Sequence, residues 1–224
     1  MNPNDGCSLA KPTFCVIVSR VAKARTPTTL AGARRRGLPG VFRPRDLAGL
    51  RITRNSIRTW VRRGEVEVLG RGLFRQRDAE FTELETLAWV AKRAPGAVFC
   101  LLTALRVHEI GTQSPPDVWI AIDRKARKPK IEAIRIRVVR FAKTLLEDGV
   151  ETREVLGVPV RITTPARTVV DCFRYRNKFG LDVALEALQD ALRSRRATVT
   201  EIWSAAQAGR VANVMRPYIE ALTA

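Results

Sequence analysis

The chain has 224 residues, 46% of them hydrophobic, and carries 40 Lys/Arg against 22 Asp/Glu, a formal net charge of +18. That length and apolar content suit one large domain or two smaller ones with real cores, and no apolar run approaches the ~18 residues that a membrane-spanning helix needs. The charge favours a polyanionic partner.

The excess of charge is uneven. Residues 1–78 hold 17 basic and 5 acidic residues, whereas residues 79–224 hold 23 and 17. Within the second part, residues 123–143 alone hold 9 basic and 2 acidic residues, so two basic sites stand out. Cys7, Cys15, Cys100 and Cys172 form no metal-type pair, and the N-terminus has no signal-peptide pattern. The expectation is a reduced, cytoplasmic protein with no metal and no cofactor.

Residues 1–25 read as an N-terminal arm, loosely packed or disordered, with a short apolar patch from Phe14 to Val18. A DNA-binding unit is expected over 26–78. Its first helix starts at Thr26-Pro27-Thr28, runs through Arg36 and ends at Gly37-Leu38-Pro39-Gly40. Arg34, Arg35 and Arg36 either touch phosphate or are simply solvated. Arg43-Pro44 opens a second helix reaching Leu50, since proline at the first helical position loses only an amide without a partner. Arg51-Ile52 is a turn, and Thr53 is placed to cap a third helix from Arg54 to about Arg63. Ile57, Trp60 and Val61 recur at helical spacing as its apolar face, opposite Arg54, Asn55, Arg58, Thr59 and Arg62. Gly64 stops this helix. Glu65–Leu69, the turn Gly70-Arg71-Gly72 and Leu73–Gln76 then read as a hairpin.

This order is the pattern of a winged helix-turn-helix, whose second helix enters the DNA major groove. Arg54, Asn55 and Arg58 sit where base edges are reached, and Arg and Asn can each bond two base-edge atoms at once. Arg62, Arg63 and Arg71 are expected on phosphate. The plainer alternative is a solvated basic helix in an ordinary α+β domain.

Residues 79–224 are expected as a mixed α/β domain, so the fold class is α+β: a winged helix-turn-helix, then a small sheet with C-terminal helices. A linker is placed near 76–82. A helix follows over 82–92, with Thr82 and Glu85 resembling a capping box. Residues 98–110, VFCLLTALRVHEI, read as a buried helix entered by a short strand. They contain the one histidine, His108, readable as a catalytic base or as a residue at a helix end. Strands are expected over 117–123 and 134–141, and a hairpin over 150–164, giving an antiparallel or mixed sheet of about four strands. Four helices close the chain, over 165–174, 181–193, 200–208 and 214–222, with Thr198 or Thr200 capping the third. Residues 174–178 lie between the first two, as helix caps or as a partner-facing stretch.

Four blocks in this order and spacing carry a family resemblance: WVRRGEVEVLGRGLF, CLLTALRVHEIGTQSPPDVWIAI, TTPARTVVDCFRYRNKFGLDVALEAL and MRPYIEAL. Over roughly residues 28–222 the chain resembles the AbiEi-type antitoxins of type IV toxin–antitoxin systems, transcriptional regulators of phage-defence loci. The resemblance implies a winged helix that represses its own operon by binding inverted repeats in double-stranded operator DNA. It also implies a C-terminal domain that counters an AbiEii-type nucleotidyltransferase toxin without a stable complex. The family's DNA-binding role falls here on Arg54, Asn55, Ser56, Arg58, Thr59 and Arg62, with Arg71 in the wing. It supplies no catalytic residues, and residues 1–25 lie outside it.

The second basic site gathers Arg124, Lys125, Arg127, Lys128, Arg135, Arg137 and Arg140. It is a face for the operator flank, for an RNA or for the toxin's substrate, or a solvated sheet face. Nothing in the sequence demands an oligomer, so a monomer or weak dimer is expected. Two other readings compete. One is a stand-alone repressor with a ligand-sensing second domain. The other is a metal-dependent nuclease, because Pro116-Asp117 with Asp123-Arg124-Lys125 resembles a PD…(D/E)xK pattern. Such a site needs both carboxylates on one metal, yet six strand residues at about 3.3 Å each put them about 20 Å apart.

Overall fold

The structure is a computed structural model that describes residues 29–50, 52–79, 84–129, 131 and 134–223. The arm expected over 1–25, the helix start at Thr26-Pro27-Thr28, and Thr82 of the expected capping box lie outside the described residues. The protein is α+β, with two small sheets and a helical C-terminal part.

The N-terminal unit runs α1 (Leu30–Arg35), β1 (Val41–Phe42), α2 (Asp46–Gly49), α3 (Arg54–Arg62), β2 (Val66–Gly70) and β3 (Leu73–Gln76). Thr29 caps α1, its hydroxyl accepting from the Gly32 amide at 3.2 Å. Asp46 closes the start of α2 by accepting from the Arg43 amide at 2.8 Å, which leaves Pro44 in the opening turn where a missing amide costs nothing. The three strands are antiparallel in the order β1-β3-β2. Between sheet and helices lies a core of Leu30, Leu38, Phe42, Leu47, Ile57 and Trp60. Phe42 is its hinge, edge-on to Trp60 and stacked on Phe74.

The second unit is built on five strands: β4 (Val98–Phe99), β5 (Val118–Asp123), β6 (Ile136–Phe141), β7 (Val150–Val155) and β8 (Val158–Thr163). Their order is β6-β5-β4-β8-β7, with β5–β6 and β4–β8 parallel and the other pairs antiparallel. The sheet is therefore mixed, with one strand more than the four expected. The fifth is β4, the short strand expected at the entry to the 98–110 helix, which joins the sheet. It holds the centre of the sheet, and the helix expected over 98–110 shrinks to α5 (Leu101–Val107). The remaining helices are α4 (Glu85–Arg93), α6 (Pro165–Arg174), α7 (Arg176–Phe179), α8 (Leu181–Arg193), α9 (Val199–Ala208) and α10 (Ala212–Thr223). Thr198 caps α9 in a reciprocal capping box with Glu201. The stretch at 174–178 folds largely into the short α7.

Strand alternation gives the five-stranded sheet two apolar faces. Residues such as Ala121, Val139 and Phe141 face a core formed with α5, α6, α8, α9 and α10. Ile120, Ile122, Val160 and Ile162 face α4. That second core also takes in Val41 of β1 and Leu73 of β3, so the N-terminal unit shares buried surface with α4 and the sheet. Polar contacts pin the same junction. Arg75 Nε lies 2.6 Å from Glu85 Oε1, with both side chains largely buried. Lys92 pairs with Asp46 at 2.7 Å, and Arg43 donates to the Lys92 carbonyl at 3.0 Å. The β7–β8 turn reaches over as well: the Gly40 amide donates to the Leu156 carbonyl at 2.8 Å. Gly157 has φ +72°, and a Cβ there would meet the Pro39 Cβ at 3.0 Å, so both conformation and space require glycine. Among the described residues, no helix is long and apolar enough to cross a membrane.

Candidate nucleic-acid interface

Helix α3 sorts its side chains by the 3.6-residue period. Ile57 and Trp60 turn into the core, while Arg54, Asn55, Arg58 and Arg62 are exposed. Ser56 departs from the DNA-contacting role that the resemblance implies. It is 0% exposed, with its hydroxyl 3.3 Å from that of Thr53, so it supports the turn into α3 and cannot reach a ligand. The same pairing occupies Thr53, which stands at the N-cap position without a side-chain cap bond. Thr59 is half-buried, and its hydroxyl donates back to the Asn55 carbonyl at 3.4 Å. Arg63 is exposed beside Glu65, 3.9 Å away. In solvent such a contact is worth little, so Arg63 stays available as a cation.

The hairpin β2–β3 projects beside this helix. Arg71 is exposed at its tip, next to Gly72 at φ +63°, a left-handed turn position that glycine fills without strain. Arg34 is already engaged with Gln76 and Asp78, and Arg36 donates to the Leu50 carbonyl at 3.5 Å. Arg35 points into solvent.

The second basic site divides. Arg124, Lys125, Arg127 and Lys128 are exposed on the loop after β5. Arg135 and Arg137 are exposed at the outer edge of the sheet, where Arg137 Nε donates to Asp117 Oδ2 at 2.7 Å. Arg140 does not join their face. It stands three residues after Arg137, so alternation puts it on the opposite side of β6. There its Nη1 donates to the carbonyls of Asp123, Arg124 and Ala126 at 3.2, 2.7 and 2.9 Å. This guanidinium shapes the loop and is not a free surface cation.

Sequence reading missed a third group. Arg43 and Arg45 at the start of α2, and Arg93 at the end of α4, gather near the hairpin tip. Burial, then repulsion from Arg45 and Arg93, depresses the affinity of Arg43 for its proton, against the pull of Asp46. No local motif marks these residues, because α2 and α4 meet only in the folded chain.

The features that suggested catalysis take structural roles. His108 is 2% exposed, and its Nε2 lies 2.6 Å from the Thr163 carbonyl. Its Nδ1 is 3.0 Å from Arg153 Nη2. Desolvation lowers its proton affinity, the Thr163 carbonyl opposes that, and Arg153 adds to it. Asp117 and Asp123 sit at the two ends of β5, the first paired with Arg137 and the second accepting from the Lys125 amide at 2.8 Å. They share no site. Among the described residues, no cluster of three His, Cys, Asp or Glu could hold a metal ion. Cys100 and Cys172 are buried, and desolvation pushes both thiols up.

No family model matches this chain, and no curated protein is similar to it at a significant level. Among solved structures, the crystal structure of the RV2827C protein from Mycobacterium tuberculosis is similar at 20% identity with a TM-score of 0.46. The match covers 86% of this chain and 78% of that one.

Proposed function

We propose that this protein is a DNA-binding transcription regulator in which the N-terminal unit acts as a winged helix-turn-helix. One observation carries the reading: α3 turns Arg54, Asn55, Arg58 and Arg62 outward together while Ile57 and Trp60 anchor it, and the β2–β3 hairpin that follows carries Arg71 exposed in its turn. An α-helix fits the major groove, where Arg pairs with guanine and Asn with adenine through two bonds each. In this reading Arg54, Asn55 and Arg58 read bases, while Arg62, Arg63 and the hairpin's Arg71 hold phosphates. The target is double-stranded operator DNA with inverted repeats. The resemblance to AbiEi-type antitoxins extends the proposal. The protein represses its own operon, and residues 79–224 counter an AbiEii-type nucleotidyltransferase toxin.

The test is binding of purified protein to its own upstream DNA and to a scrambled duplex, with wild type and Arg58→Ala, across a salt series. Selective binding that Arg58→Ala abolishes supports the reading. Equal affinity for both duplexes with a steep salt slope rejects operator recognition. Co-expression with the neighbouring toxin gene tests the antitoxin half: no rescue of growth removes it.

A further inference from the structure

The two basic regions that are far apart in sequence meet in the fold. A Cβ placed on Gly70, at the base of the hairpin turn, would lie 3.6 Å from Arg93 Nη2. On the other side of the same turn, a Cβ on Gly72 would lie 3.9 Å from Pro44 Cδ, between Arg43 and Arg45. From Arg93 the surface continues into an open cleft of about 660 Å³ lined by Gly96, Ile122, Asp123, Ala126, Arg127 and Lys128. The hairpin tip with Arg71, the start of α2, the end of α4 and the loop after β5 thus adjoin along one predominantly basic track, interrupted by Asp123 alone among the described lining residues.

Among the described residues this track is only weakly neutralised: Arg45, Arg71, Arg93, Arg127 and Lys128 have no ion pair. Of the described carboxylates beside it, Asp46 is paired with Lys92 at 2.7 Å, while Asp123 lines the cleft, accepts from the Lys125 amide at 2.8 Å and keeps its charge, so the cations outnumber it. Like charges held this close repel one another, and a polyanion relieves that repulsion while releasing its own counterions. The track is also held in place. Arg140 ties down three carbonyls of the loop that leads to Arg127, and Arg43 is bonded to the Lys92 carbonyl at 3.0 Å. Holding donors in position before binding lowers the entropic cost of binding.

We propose that Arg93, Arg127 and Lys128, with Arg43 and Arg45 beside them, form a phosphate-binding patch that extends the α3–hairpin interface along the flank of the same DNA duplex. This rests on the winged-helix reading and adds to it. The second unit then contributes directly to DNA affinity but not to sequence choice. A phosphate patch carries no base information, so it lengthens the footprint on one side of the wing.

The experiment uses the full chain and two duplexes from its own upstream DNA: one trimmed to the protected core, and one extended by about 10 base pairs, a helical turn, on the hairpin side. Binding is read across about 50–200 mM salt for wild type, Arg127→Gln/Lys128→Gln and Arg58→Ala. Both positions of the double variant are exposed, and a triple variant adding Arg93→Gln serves as a second probe once circular dichroism shows it folded. On the extended duplex, the double variant should weaken binding by roughly tenfold and flatten the log–log salt slope by about 1.8, or 0.9 per lost phosphate contact. On the trimmed duplex it should match wild type, with preference over scrambled DNA unchanged. Wild-type affinity and slope for both patch variants on the extended duplex overturn the patch, while a loss in Arg58→Ala still upholds operator reading. Conversely, equal binding of wild type to true and scrambled DNA, with a flatter slope in the double variant, keeps the patch and rejects operator reading. If neither variant moves binding, both proposals fall.

Discussion

Arg153 Nη2 and His108 Nδ1 are 3.0 Å apart, and the guanidinium can only donate. Nδ1 is therefore the acceptor, and the proton sits on Nε2, which donates to the Thr163 carbonyl at 2.6 Å. The imidazole is held neutral with both nitrogens used, bridging the end of α5 to β7 and β8.

That arrangement predicts a pH dependence of stability. Burial, the largest influence, lowers the folded-state pKa of His108 below its unfolded value. The unfolded chain therefore binds the extra proton first, and stability rises with pH through this window. Its contribution is complete above the unfolded value of about 6.5 and is lost as pH falls toward the depressed folded value. Urea midpoints at pH 7.5 and pH 5.5 should drop clearly for wild type and much less for His108→Gln. An equal drop in both would assign the effect to other groups.

The Arg75–Glu85 pair joins β3 to α4, with side-chain exposures of 13% and 10%. Removing one partner leaves the other charge buried and alone. Glu85→Ala should thus destabilise the protein by about 3 kcal/mol, whereas Arg75→Met/Glu85→Met together should recover most of that. Glu85 also accepts from Trp89 Nε1 at 3.1 Å, so the double variant will not recover all of it. A double-mutant cycle of urea unfolding measures the coupling.

On α3, burial separates two neighbours. Arg58→Ala should cost about 1–3 kcal/mol of binding and relax base preference, while Arg62→Ala should weaken all sequences alike. Ser56→Ala should leave DNA affinity unchanged and cost about 1 kcal/mol of stability through its lost hydroxyl contact with Thr53. Anisotropy titrations and urea melts of the three variants separate these effects; a binding loss in Ser56→Ala at full stability would return that residue to the interface.

Arg140 offers a test of order without charge at the ligand. Arg140→Gln removes the clamp on the carbonyls of Asp123, Arg124 and Ala126. Hydrogen exchange over residues 124–128 should speed by about tenfold or more, the equivalent of losing about 1.4 kcal/mol of local protection. Unchanged exchange would mean the loop holds its shape by other contacts.

Much of this molecule was legible residue by residue. The period of Ile57 and Trp60 placed α3 and its outward arginines, Gly64 marked its end, and alternation in β5 and β6 gave two strands of the sheet. These are local signals, because helix and strand periods are properties of a few consecutive residues. Where the structure departs from that reading, the rest of the fold decides. Ser56, which the resemblance places among the DNA contacts, is enclosed by Thr53 and the core. Arg140 looks like one more surface cation until the β5 loop folds under it. The short strand expected before α5 is there as β4, but its place at the centre of the sheet comes from pairing with β5 and β8.

By itself, then, the sequence determined the α+β class, the order of most elements, the excess of positive charge and its two concentrations along the chain. Only the tertiary structure decided that those concentrations adjoin, with Arg93 of α4 beside Gly70 of the hairpin and Arg127 and Lys128 in the adjoining cleft. The reason is physical. Charge along a chain is additive and can be counted, whereas adjacency arises from burial of apolar surface, here Val41 and Leu73 against α4 and the sheet. That burial brings like charges together against their own repulsion.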